Sequence, residues 1–135
     1  MAPAGSRTGG PRTGRPRVVI LADDLIWASR LDAQLRAAGA QPLRVASLEG
    51  LDASLADVDA VVVDLTARAY DGIGAIERAA SAGRPVLAVG QHDDHALRRR
   101  ALAAGASRVY AYRKLFEDGP ATLAGWLGRT AAAAR

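Results

Sequence analysis

Ala60-Val61-Val62-Val63-Asp64-Leu65-Thr66-Ala67-Arg68-Ala69-Tyr70-Asp71-Gly72 is the stretch on which the reading of this chain turns. Four small or β-branched apolar residues run without interruption into an aspartate. A strand covered on both faces, as in the middle of a parallel sheet, reads as a continuous apolar run rather than an alternating one. An acid that closes such a run lies at the carboxyl edge of the sheet, where open α/β folds place their ligand crevices. One acid there carries little weight, because a strand-ending Asp often only caps the next loop or helix.

Working outward, Val18 to Ala22 reads as a first buried strand that ends in Asp23-Asp24. Residues 25–38 carry apolar side chains at helical spacing and stop at Gly39. Residues 42–46 form a short strand, placed near an edge by Pro42 and Arg44. A short helix spans 47–56, and the strand ending at Asp64 is third. Helices are expected over 71–82 and 93–104, strands over 85–89 and 108–112, and a last helix runs from Gly119-Pro120 through Trp126. Five strands alternating with five helices predict a doubly wound α/β fold: a five-stranded parallel sheet with right-handed crossovers and helices on both faces.

At 135 residues the chain has the length of one domain. No apolar run approaches the length of a membrane span. There are no cysteines, which excludes disulfides, thiolate metal sites and cysteine nucleophiles and fits a cytoplasmic location. The net charge of +4 is local. Arg7, Arg12, Arg15 and Arg17 lie in residues 1–17 with no acid among them, and the rest of the chain carries 14 basic and 14 acidic side chains. The high pI thus describes a tail, and residues 1–16 are expected to be a disordered basic leader to a domain over 17–130. Nucleic-acid binding is not expected, except weakly through that tail.

With the first and third strands adjacent, Asp23, Asp24 and Asp64 converge on one edge. Clustered carboxylates repel one another unless a cation sits among them. Hard oxygen ligands with open water positions suit Mg²⁺, and a metal there makes Asp64 a workable nucleophile toward a phosphoryl group. Elsewhere, Gln91-His92-Asp93-Asp94-His95 reads as a polar loop and an acid-rich helix start, and Arg98-Arg99-Arg100 as a solvated face. Ile26 and Trp27 fall near the rim of the crevice, as core or as a docking patch.

Several pieces in order resemble the receiver domain of bacterial two-component response regulators, of the small chemotaxis kind: Leu21-Ala22-Asp23-Asp24, Val63-Asp64-Leu65, Asp71-Gly72, Pro85 to Val89, and Gly105-Ala106-Ser107. The resemblance covers about residues 17–128. It implies a flavodoxin-like strand order of 2-1-3-4-5. It further implies a stand-alone signalling module in which Asp64 accepts phosphate from a histidine kinase or phosphotransfer protein. Asp24, Asp64 and the Thr66 backbone carbonyl would coordinate Mg²⁺, with Asp23 acting through water, and a protein partner would read the result. Such a domain catalyses only its own phosphorylation and dephosphorylation.

Two departures stand beside these matches. The family's Ser or Thr after the fourth strand is Gly90 here, and no hydroxyl residue occurs between Ser81 and Ser107. The family's lysine after the fifth strand has three candidate equivalents. Counting directly from Gly105-Ala106-Ser107 puts Tyr112 in its place. A one-residue insertion gives Arg113 and makes Tyr110 the switch aromatic, and a two-residue insertion gives Lys114. These departures favour an alternative expectation, a pseudo-receiver that binds a protein partner and ignores phosphate.

Overall fold

The computed structural model describes residues 14–134. Its elements are β1 (Arg17–Leu21), α1 (Leu25–Ala37), β2 (Gln41–Val45), α2 (Leu48–Ser54), β3 (Ala60–Asp64), α3 (Gly72–Ser81), β4 (Val86–Gly90), α4 (His95–Ala104), β5 (Arg108–Ala111) and α5 (Tyr112–Ala134), with a single 3-10 turn at Leu55–Asp57. All four strand pairs are parallel, in the order β2-β1-β3-β4-β5. This is the expected doubly wound architecture. Residues 1–13 of the expected basic leader lie outside the described residues, whereas Pro16 is already tied to the sheet, its carbonyl accepting the Gln41 N–H at 2.8 Å.

The uninterrupted apolar runs have a direct cause. Alternate residues of each central strand enter two separate cores. Val18, Ile20, Val62, Leu87 and Val89 pack with Leu31 and Leu35 of α1 and Leu115, Leu123 and Trp126 of α5. Val19, Leu21, Val61, Val63, Val86 and Ala88 pack on the other face with Leu51, Ile76 and Ala101 of α2, α3 and α4. Every residue of β3 and β4 is buried. Each such Val, Leu or Ile contributes about 1.5–3 kcal/mol relative to exposure. β2, at the edge, shows no fully buried residue, which is why it tolerates Pro42 and Arg44.

Helix boundaries follow their caps. Asp24, Ser47, Asp71 and Asp94 each accept a backbone N–H from the first turn of α1, α2, α3 and α4. Gly105 ends α4 with φ +121°, and a Cβ there would come within 2.7 Å of Ala80 Cβ. Both facts reserve that position for glycine. The last helix departs from expectation. It begins at Tyr112, immediately after β5, so residues 113–117 are helical rather than a loop. The signal that suggested a later start is real but local. Asp118 breaks the helical path at φ −148°, and Pro120 restarts it. At this kink Gln34 of α1 inserts, its Nε2 donating to the Leu115 carbonyl at 2.7 Å.

Candidate functional site at the carboxyl edge of the sheet

Leu21 of β1 is in register with Val63 of β3, so Asp23, Asp24 and Asp64 leave the sheet at the same edge. The structure then spends each carboxylate differently. Asp24 Oδ1 caps α1, accepting from Ile26 N at 2.8 Å and Trp27 N at 3.1 Å. Asp23 Oδ2 accepts from Arg68 N at 3.0 Å and Ala69 N at 3.1 Å, holding the β3–α3 loop across the edge. Both of these acids are exposed, whereas Asp64 is only 1% exposed.

Asp64 Oδ1 is the centre of the pocket. It accepts from Thr66 N at 3.0 Å, from Thr66 Oγ1 at 2.9 Å, and from the Tyr112 hydroxyl in a very short contact. The Thr66 and Tyr112 hydroxyls also lie 2.5 Å from each other. Two hydroxyl protons therefore serve the three edges of one tight triangle, so one edge is without a proton at any instant. None of these bonds falls on Oδ2. Tyr112 is held from its other side by Trp27 of α1, with ring centroids 4.2 Å apart at 33°. Arg30 lies over the Trp27 ring at 5.8 Å and over Phe116 at 4.9 Å. A second phenol ties the strands beneath: the Tyr70 hydroxyl is 2.8 Å from both the Leu21 and the Asp64 carbonyls and shares its single proton between them.

Both phenols are held in their neutral form. Burial is the main cause of the upward shift at Tyr70, followed by the charges of Asp64 and Asp23. Burial again comes first at Tyr112, and the hydrogen bond to Asp64 adds to it. A phenol in such a place donates a proton but carries no positive charge.

The remaining candidate residues are placed as follows. Arg113 faces Glu117 on the exposed side of α5, with 3.5 Å between Nε and Oε2, and Lys114 is also exposed. Tyr112 donates to Asp64, and neither Arg113 nor Lys114 is among the groups bonded to that carboxylate. Of the three positions weighed for the family's lysine, it is the directly counted Tyr112 whose side chain reaches Asp64. Gly90 ends β4, and a Cβ there would meet only Leu65 at ordinary contact distances of 3.5 and 3.7 Å. Packing therefore does not exclude a side chain at this position. Tyr110 is half-buried, and its hydroxyl accepts from Arg129 Nη2 at 3.2 Å. It lines a small cavity of about 70 Å³ with Leu65, Gly90, Leu97 and Arg98. Tyr70 and the Thr66 hydroxyl were not singled out from sequence; a lone aromatic or hydroxyl in a loop carries no periodic signal.

The expected Mg²⁺ ligands Asp23, Asp24 and Asp64 share this edge. Among the described residues no three His, Cys, Asp or Glu side chains stand together as a metal site. One oxygen of each acid accepts backbone N–H groups or hydroxyls, namely Asp23 Oδ2, Asp24 Oδ1 and Asp64 Oδ1, and none of these bonds falls on the other oxygen of each carboxylate.

Comparison with solved structures puts a name to the architecture. The receiver domain of the TMAO respiratory response regulator TorR superposes with a TM-score of 0.75 at 19% identity, over 85% of this chain and 98% of that one. This is the fold of a response-regulator receiver domain. A Francisella response-regulator receiver domain gives a TM-score of 0.72 at 17% identity, covering 86% of this chain and 99% of that one. The chemotaxis regulator CheY4 of Vibrio cholerae gives 0.67 at 18%, covering 86% and 98%. No protein-family model matches the sequence, and no curated protein matches it either. In this chain the carboxyl edge carries Asp23, Asp24 and Asp64, and the Tyr112 hydroxyl donates to the last of them. No helix among the described residues is long and apolar enough to cross a membrane.

Proposed function

We propose that this chain is a receiver-fold signalling domain that works by binding a protein partner, with its Asp64 pocket held shut by Tyr112 and its action independent of phosphate. The fold supports a role in two-component signalling. The observation that carries the phosphate-independent reading is the Tyr112 hydroxyl on Asp64 Oδ1, where the family resemblance leads one to look for a lysine. A phosphoryl group arriving on Asp64 needs positive charge around its oxygens. A buried neutral phenol supplies none, and Gly90 offers no hydroxyl. The pocket instead reads as a locked structural element that fixes the β1, β3 and β5 ends relative to α1.

The second reading is phosphate acceptance on Asp64 from a histidine kinase or phosphotransfer protein, with Mg²⁺. It is favoured by the shared edge of Asp23, Asp24 and Asp64 and by an Oδ2 on which none of the three bonds falls. It requires Tyr112 to swing away from Asp64. Titration with beryllium trifluoride and Mg²⁺, followed by the fluorescence of Trp27 beside Tyr112, separates the two. The expected result is no change at saturating Mg²⁺. A response that disappears in Asp64→Asn overturns the proposal in favour of phosphate acceptance.

A further inference from the structure

The opposite end of the sheet, at the amino ends of β3, β4 and β5, carries a second feature that the acidic edge does not explain. An open cleft of about 900 Å³ lies there between the start of these strands, the end of α3 and the last turns of α5. Arg84, Arg108 and Arg129 line it, from the α3–β4 loop, β5 and α5 respectively. One carboxylate also lines it, Asp59, and its Oδ2 already accepts the Arg17 N–H at 2.8 Å. Each arginine gives one N–H to a neutral acceptor: Arg84 to the Leu55 carbonyl, Arg108 to the Ser107 carbonyl and Arg129 to the Tyr110 hydroxyl. None of the three is in an ion pair with a carboxylate among the described residues. Most guanidinium donors in the cleft are thus uncommitted, in a fork geometry suited to carboxylates.

The floor is apolar. Ala60, Trp126 and Leu127 line the cleft and are 1%, 1% and 7% exposed. Gly14 and Pro16 form part of the rim, so the segment bearing Arg7 and Arg12 joins the fold at this same positive end. Clustered charge of one sign over low-dielectric walls concentrates ligands of the opposite sign. Trp126 presents almost no ring face, and base stacking on aromatic faces is what single-stranded nucleic acid uses most.

We propose that this cleft binds an acidic peptide segment of a partner protein, its carboxylates on Arg84, Arg108 and Arg129 and its apolar side chains against Pro85 and the exposed Ala131. The cleft lies at the opposite end of the strands from Asp64, so the inference does not depend on whether Asp64 takes phosphate. Arg108 and Arg129 are exposed, so their replacement leaves the core intact. Arg84, which braces Leu55, is left in place.

The test uses the full chain and a short fluorescein-labelled peptide rich in Glu and Leu, with a counterpart in which Gln replaces every Glu. Anisotropy is expected to show saturable binding of the Glu peptide that weakens as salt rises. Arg108→Gln with Arg129→Gln is expected to weaken it by at least about tenfold, the equivalent of one charge-assisted hydrogen bond. Asp64→Asn is expected to bind the peptide as the wild type does, which separates this site from the acidic edge. Equal binding of the Gln peptide overturns the proposal, since the arginines would then be idle. So does the absence of binding to either peptide. Arginine-dependent binding of a single-stranded RNA oligomer without peptide binding assigns the cleft to nucleic acid and likewise overturns it.

Discussion

Replacing Tyr112 with phenylalanine isolates the contact on which the functional reading rests. The change removes one hydroxyl and leaves the ring, so the 4.2 Å stack on Trp27 is kept and no large cavity forms. What is lost is a donor to a carboxylate that is 1% exposed. Asp64 Oδ1 keeps the Thr66 N–H at 3.0 Å and the Thr66 hydroxyl at 2.9 Å, so the charge is weakened in its support but not stranded. A hydrogen bond to a charged group is worth about 1.5–3 kcal/mol, and the two remaining donors place the expected loss near the lower end, about 2 kcal/mol. With a denaturant slope of about 1–3 kcal/mol per molar urea, the unfolding midpoint falls by about 1 M. The assay is urea unfolding followed by tryptophan fluorescence, run as a cycle with Asp64→Asn. The neutral amide needs the phenol less, so Tyr112→Phe in the Asn background is expected to cost at least about 0.5 kcal/mol less than in the wild type. If Tyr112→Phe leaves the midpoint unchanged, or if the two substitutions simply add, Tyr112 is not the clasp on Asp64 and the locked-pocket reasoning fails.

Three further outcomes follow from the same contacts. Tyr70 and Tyr112 have acidities pushed upward by burial and then by the neighbouring Asp64. The folded chain therefore keeps phenolic protons that the unfolded chain releases above about pH 10. Their contribution is full below that pH and is lost as pH rises further, so urea midpoints should fall from about pH 9.5 upward, less steeply in Tyr112→Phe. Asp24→Ala removes the acceptor for Ile26 N and Trp27 N and should cost about 1 kcal/mol, read as a lowered melting temperature, whereas Asp24→Asn should stay within a few tenths of a kcal/mol. Gly119→Ala would drive its Cβ into the Gln34 carboxamide, forcing that side chain off the Leu115 carbonyl. A loss of about 1–3 kcal/mol is expected in urea unfolding, and Gln34→Ala should relieve most of it.

Much of this protein is written locally in its chain. The apolar runs at Val18 to Leu21, Ala60 to Val63 and Val86 to Val89 can be satisfied only by a sheet covered on both sides, and the caps and glycine stops between them set the helices. Strand count, parallel order and the common edge of Asp23, Asp24 and Asp64 were therefore legible, because each rests on period, composition and chain direction. Tertiary structure alone decided what those acids do. A carboxylate takes whichever donor stands nearest, and that donor can be a backbone N–H in the next turn, as for Asp24, or a side chain 48 residues away, as for Asp64 and Tyr112. The latter pairing depends on α5 starting directly after β5 and on Trp27 holding the ring from across the core. The same holds for Arg84, Arg108 and Arg129, scattered in sequence and gathered into one cleft only when the α3–β4 loop, the start of β5 and the end of α5 are brought together.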